Sequence, residues 1–147
     1  MDYSKITEEL FIGTTPIPSD YDLLRSLGVG LVINMRAERR PFPDPNVQPL
    51  KFLWLPTVDW PLLPIPIAML KRGAHMALET IQAGQRVFAH CQGGRHRGVA
   101  MGAAVLIARG YSAEEAMHLI ASQRMIADPG VFYIRSRILR FAQQWQA

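Results

Sequence analysis

The sequence predicts a single α/β domain over residues 1–147, with a central, mostly parallel sheet of four to five strands flanked by helices. Three observations predict it. Short apolar, β-branched runs alternate along the chain with longer stretches of helical periodicity. The segment Val99 to Arg109 is small and apolar on all faces, as a central buried helix is. Hydrophobic residues make up 49% of the 147 and charged residues 19%, which excludes a disordered chain and supplies enough apolar surface for one core.

The elements follow in order. Ile6 to Ile12 reads as an entry strand, ended by Gly13 and the turn-rich Thr14-Thr15-Pro16. Ser19 is a candidate cap for a helix over Asp20 to Leu27, stopped at Gly28. Gly30 to Asn34 is a buried strand. Residues 36–49 hold Arg36, Arg39 and Arg40 and then Pro41, Pro43, Pro45 and Pro49, which block regular structure. Lys51 to Leu55 is a strand, and Pro56 to Pro66 a second proline-rich loop carrying Thr57, Asp59 and Trp60. Ile67 to Ala83 carries Ile67, Leu70, Ala74, Ala77, Leu78 and Ile81 at helical spacing and ends at Gly84. Arg86 to His90 is a strand that runs straight into Cys91. After the apolar helix, Ser112 and Glu115 form a capping box opening a helix to about Arg124. Asp128-Pro129-Gly130 turns the chain into a last helix, Val131 to Trp145. Two long loops in so small a domain are places to look for function.

Charge and cysteine content narrow the classes. Sixteen Lys and Arg against twelve Asp and Glu give +4, which suits anionic partners but is also ordinary solubility charge. A lone cysteine excludes an internal disulfide framework and a multi-cysteine zinc site, and fits a reducing, cytoplasmic setting. The longest apolar run, Val99 to Ala108, is too short for a transmembrane segment, and Met1 to Lys5 lacks the look of a signal peptide. Nucleic acid is not expected as a partner, since no nucleic-acid-binding signature accompanies the charge. The sequence does not indicate an oligomeric state.

One segment carries chemistry: a strand, then Cys91-Gln92-Gly93-Gly94-Arg95-His96-Arg97-Gly98, then an apolar helix. Gly93 and Gly94 allow a sharp turn that points backbone N–H groups inward. The helix adds unpaired N–H groups and the positive end of its dipole. Arg97 closes this anion cradle with a planar fork matched to phosphate oxygens. A sulfur in such a cradle is expected as the nucleophilic thiolate. The departing ester oxygen then needs a proton, and the candidate donors are Asp59 and Asp44, both on proline-rich loops. Asp59 is preferred because its loop follows a strand whose carboxyl end should lie beside Cys91.

His90-Cys91-Gln92-Gly93-Gly94-Arg95-His96-Arg97 resembles the His-Cys-x-x-Gly-x-x-Arg signature of cysteine-dependent protein tyrosine phosphatases, and the short chain resembles the dual-specificity branch. Ile6 to Gly13, Gly28 to Arg36, and Arg124 with Asp128 to Phe132 are similar to further segments of that branch. The resemblance implies a phosphatase-like fold and hydrolysis of phosphate monoesters, phosphotyrosine and also phosphoserine or phosphothreonine. The partner is then a phosphorylated protein or small phosphorylated molecule. It implies Cys91 as nucleophile, Arg97 as phosphate clamp and Asp59 as general acid and then base. It assigns phosphate binding to the backbone of Gln92, Gly93, Gly94, Arg95, His96 and Arg97, and loop support to His90. No metal or other cofactor is implied. The family usually places Ser or Thr after the arginine, where this chain has Gly98; that hydroxyl helps the cysteine leave, so slower breakdown of the phosphoenzyme is expected.

Arg95 and His96 either point to solvent or widen the basic field toward a phosphoinositide or inositol phosphate substrate. Arg36, Arg39 and Arg40 read as a solvated basic loop, and Trp60 and Phe42 as flanks of an aromatic ester or as loop packing. The alternatives from other classes are a non-enzymatic pseudophosphatase, a rhodanese-like sulfurtransferase and an arsenate reductase.

Overall fold

Among residues 1–146, which the computed structural model describes, five strands form one sheet in the order β1-β2-β5-β3-β4. These are β1 Tyr3–Lys5, β2 Leu10–Gly13, β3 Val29–Arg36, β4 Lys51–Thr57 and β5 Arg86–His90. β1 pairs antiparallel with β2; the other pairings are parallel. The helices are α1 Tyr21–Ser26, α2 Ile67–Gln82, α3 Arg97–Ala108, α4 Ala113–Gln123 and α5 Phe132–Gln146. The α/β class with a mostly parallel sheet is as the sequence predicts, and among the described residues no helix is long and apolar enough to cross a membrane.

Alternation along the central strands divides the core between two faces. Leu31, Ile33 and Met35 of β3 and Val87 and Ala89 of β5 join the main cluster, which α2, α3, α4 and α5 cover. Val32 and Phe88 face the other way, into a smaller cluster with Phe11, Tyr21, Leu24 and Leu50 under α1 and its neighbouring loops. Cys91 continues the β5 alternation and belongs to the main cluster, 3% exposed. Residues Arg97 to Ile107 of α3 are all buried, so that helix is the axle of the domain.

Four local expectations are corrected. The entry segment is not one strand over Ile6 to Ile12. It is a hairpin, because the Ile6 N–H (2.9 Å) and Thr7 N–H both donate to the Leu10 carbonyl and fold the chain back. Ser19 caps nothing: Pro18 starts a 3-10 turn, and the Asp20 carboxylate accepts from the Ile17 N–H at 2.9 Å. β4 runs on through Pro56 to Thr57, which an edge strand with one neighbour tolerates. α3 begins at Arg97 rather than Val99, so the cradle arginine is itself the first helical residue. The Ser112 capping box forms as expected, with Glu115 N–H to Ser112 Oγ at 3.1 Å and Ser112 N–H to Glu115 Oε1 at 2.8 Å.

Candidate active site

The carboxyl ends of β5, β3 and β4 lie side by side, and the loops that leave them meet at one opening. β5 delivers Cys91, the turn after β3 delivers Glu38, and the loop after β4 delivers Asp59. All three line an open cavity of about 840 Å³ with Ala37, Val58, Gln92, Gly93, Arg95, His96 and Arg97.

The Cys91–Arg97 loop is held from outside so that its amides stay free. Among the described residues, none of the backbone N–H groups of Gln92 through His96 finds a protein acceptor. Gly94 takes a positive φ of 63°, and a β-carbon there would stand 2.8 Å from the Gly13 carbonyl oxygen, so only glycine fits. Arg124, 2% exposed, braces the loop from behind: Nε donates to the Gly94 carbonyl at 2.8 Å and Nη2 to the Gly93 carbonyl at 3.0 Å. Arg124 also reaches Ser4 Oγ at 3.0 Å and Asp2 Oδ2 at 3.1 Å. On the near side, Thr15 donates from Oγ1 to the Cys91 carbonyl at 3.2 Å, and Arg36 donates to that same Thr15 oxygen at 2.8 Å.

Arg97 is 4% exposed and fully oriented. Nη1 donates to the Thr57 carbonyl at 2.8 Å, and Nη1 and Nη2 grip the two Glu38 oxygens at 2.8 and 3.0 Å. The Arg97 guanidinium in turn holds the Glu38 carboxyl down to about 2, against its own partial burial. That leaves Nε, which is buried without a partner; it is the one such side-chain nitrogen or oxygen among the described residues. A buried donor with no acceptor is costly, and an anion over Cys91 would supply one.

His90 is buried, with Nδ1 3.3 Å from the Cys91 carbonyl oxygen, and burial pushes its imidazole down to about 4, so it is neutral. Arg95 is exposed, 3.8 Å from Asp128. His96 faces inward across the cavity: Nδ1 stands 2.9 Å from Asp59 Oδ2. Tyr133 donates to the other Asp59 oxygen at 2.6 Å. Burial pushes the Asp59 carboxyl up, but the hydrogen bonds from Tyr133 and His96 and the Arg97 charge outweigh it and leave it below its ordinary value.

The competitor Asp44 is elsewhere. It is a loop staple, accepting from Arg25 and from the Leu50 N–H at 2.8 Å and the Asn46 N–H at 3.1 Å. Phe42 packs against the smaller cluster with Arg39 stacked 3.6 Å over its ring, so it is loop packing, while Trp60 stays exposed beside Asp59. Sequence reasoning missed Glu38, Tyr133 and the brace from Arg124. A carboxylate within the Arg36-Ala37-Glu38-Arg39-Arg40 run at a strand's end was a signal for the first; nothing local marks Tyr133.

No family model matches the chain. Among curated proteins it is 33% identical over 133 residues to rat phosphatidylglycerophosphatase and protein-tyrosine phosphatase 1, spanning 83% of this chain and 67% of that one. It is 25% identical over 146 residues to mouse dual specificity phosphatase 28, spanning 99% and 86%. The crystal structure of PTPMT1 in complex with PI(5)P matches with a TM-score of 0.82 at 26% identity, covering 98% of this chain and 96% of that one. The chain belongs to the cysteine-dependent protein tyrosine phosphatase superfamily, in its small dual-specificity branch, and is a phosphatase.

Proposed function

We propose that the chain, acting as one domain, hydrolyses phosphate monoesters of proteins through a phosphocysteine intermediate, with phosphotyrosine as the first substrate and phosphoserine or phosphothreonine beside it. The observation that carries this reading is the Arg97 guanidinium, in the cavity that Cys91 also lines: three of its contacts are spent on Glu38 and Thr57, and Nε is buried and unpartnered. Together with the free amides of Gln92 through His96, that nitrogen supports a cradle for three phosphoryl oxygens. Cys91 Sγ attacks phosphorus in line; the P–O bond to the leaving group breaks as the P–S bond forms. Asp59 gives its proton to the departing oxygen. Water then attacks phosphorus, Asp59 takes the water proton, and the thiolate leaves with inorganic phosphate as product. The backbone and Arg97 supply the positive field this charge redistribution needs. The lone thiol has no partner with which to form a protective disulfide, which favours a reducing compartment such as the cytoplasm.

The test is hydrolysis of p-nitrophenyl phosphate. Cys91→Ser should abolish turnover, and vanadate should inhibit the wild type. Asp59→Asn should slow phenyl phosphate, a poor leaving group, about 100-fold or more while slowing p-nitrophenyl phosphate less. Turnover that survives Cys91→Ser would overturn the reading.

A second reading, a phosphorylated lipid as substrate, is favoured by the rim of the cavity. Val58, Trp60, Leu62 and Leu63 on the Asp59 loop are exposed large hydrophobics, as are Met125, Ile126 and Phe132 on the segment that carries Asp128 and Tyr133. The rat relative's name and the PI(5)P bound to PTPMT1 point the same way. A kcat/KM on phosphoinositide vesicles exceeding that on phosphotyrosyl peptides would favour this reading over the first.

A further inference from the structure

Three distant parts of the chain converge on one carboxylate. Asp59 comes from the loop after β4, His96 is the last residue of the Cys91 loop, and Tyr133 lies in the first turn of α5. His96 Nδ1 is 2.9 Å from Asp59 Oδ2, and the Tyr133 hydroxyl donates to Asp59 Oδ1 at 2.6 Å. The same hydroxyl is 3.2 Å from His96 Nδ1, and the two rings meet edge to face at 5.6 Å. Both Asp59 oxygens are therefore occupied, and each of its partners also touches the other.

We infer that His96 and Tyr133 are positioning residues for Asp59: they moor the loop that carries it to the phosphate-binding loop and keep its carboxylate ionised between turnovers. The inference rests on the reading of Asp59 as acid and base. A carboxylate that accepts two hydrogen bonds is favoured as the anion. Tyr133 remains a donor throughout, because burial and the Asp59 charge push its phenol up to about 12. The other charges facing this cluster are Arg97 at the start of α3 and Asp128 before α5, which stands 3.8 Å from His96 Nε2.

The consequence is an asymmetry between the two half-reactions. Ionised Asp59, fixed in place, is ready to take a proton from water in the second step. For the first step it must carry a proton, and that proton competes with the two donors already bound. The mooring therefore favours breakdown of the phosphoenzyme at the expense of its formation from esters with poor leaving groups. This chain lacks the usual hydroxyl at Gly98, so help for the second step is placed where it is otherwise missing.

The experiment follows kcat/KM against pH for phenyl phosphate and for p-nitrophenyl phosphate. The fall in kcat/KM for phenyl phosphate as pH rises reports loss of the Asp59 proton. Tyr133→Phe removes the donor to Asp59 Oδ1 together with the hydroxyl's contact to His96 Nδ1, so that fall should move to higher pH by about one unit. Because the mooring serves breakdown, His96→Ala should lower the rate of phosphoenzyme hydrolysis, read as the steady state after the p-nitrophenyl phosphate burst in rapid quench, about tenfold, and kcat/KM for phenyl phosphate less than threefold. His96→Asn, whose amide nitrogen stands where Nδ1 stood, should restore most of that loss. An unmoved pH profile in Tyr133→Phe would overturn the inference, as would an unchanged rate of phosphoenzyme hydrolysis in His96→Ala or no rescue by Asn. A weakened vanadate affinity in both variants would also overturn it, since the damage would then lie in the phosphate loop. The reading of Asp59 itself fails separately, if Asp59→Asn leaves the difference between the two esters unchanged.

Discussion

At Gly98 the absence of a side chain has both a steric and a chemical side. A β-carbon there would stand 3.2 Å from the Cys91 nitrogen and 3.3 Å from two His90 backbone atoms, closer than side chains normally pack. Glycine therefore lets α3 press its first turn against the strand end that carries Cys91, and in the proposed mechanism it gives up a hydroxyl that would stabilise the departing thiolate. Gly98→Ser restores the hydroxyl at the cost of a shift of a few tenths of an ångström, and Gly98→Ala imposes the shift alone. A hydrogen bond to a charged group is worth about 1.5–3 kcal/mol, or roughly 10- to 100-fold in rate. Rapid-quench kinetics on p-nitrophenyl phosphate should show a burst in the wild type. Gly98→Ser should hydrolyse the phosphoenzyme faster by up to that factor, and Gly98→Ala should not. Equal rates in wild type and Gly98→Ser would show that the missing hydroxyl is not what limits breakdown.

Among the elements, α4 shows how a helix remote from the cavity still serves it. Its start is fixed by the reciprocal bonds of Ser112 and Glu115, and the residue that ends it is Arg124, whose guanidinium lies against the Gly93 and Gly94 carbonyls. The start was legible in the sequence, because a capping box is a local pattern four residues long. The same holds for β5, read over Arg86 to His90, and for the run from Cys91 to Arg97, since consecutive residues need no tertiary information to be recognised together. The hairpin at β1 and β2 was not legible: Thr7 and the glutamate pair Glu8 and Glu9 look like strand edge until Leu10 is seen folding back on Ile6. Ser112→Ala should cost about 1 kcal/mol, seen as a Tm lower by about 2–4 °C, with kcat/KM unchanged. A drop in kcat/KM alongside the drop in Tm would mean that the far end of α4 moves when its start frays.

For the molecule as a whole, the site is assembled from partners far apart in the chain, and this sets the limit on what the sequence discloses. Glu38 lies 59 positions before Arg97, and Asp2 lies 122 before Arg124. No periodicity or motif joins such pairs; the sheet order does, by setting the carboxyl ends of β3, β4 and β5 side by side for the first pair and β1 against β2 for the second. Asp59 could be inferred from that order, whereas Tyr133 depends on where the start of α5 lands. Arg124 is the point at which this long-range assembly can be tested. It ties the N-terminal strand region, through Asp2 and Ser4, to the Cys91–Arg97 loop, through Gly93 and Gly94. Arg124→Met keeps much of the volume and strands the two carbonyls, at about 1–3 kcal/mol for each that water cannot reach. The variant should be less stable by denaturant midpoint, and its vanadate inhibition constant should rise, because the loop whose amides form the cradle has lost its rear brace. Asp2→Ala removes only an exposed partner of Arg124 and should change neither quantity by more than about 0.5 kcal/mol. Arg124→Met with native vanadate affinity and lowered stability would show that the loop holds its shape unaided and that Arg124 serves the fold alone.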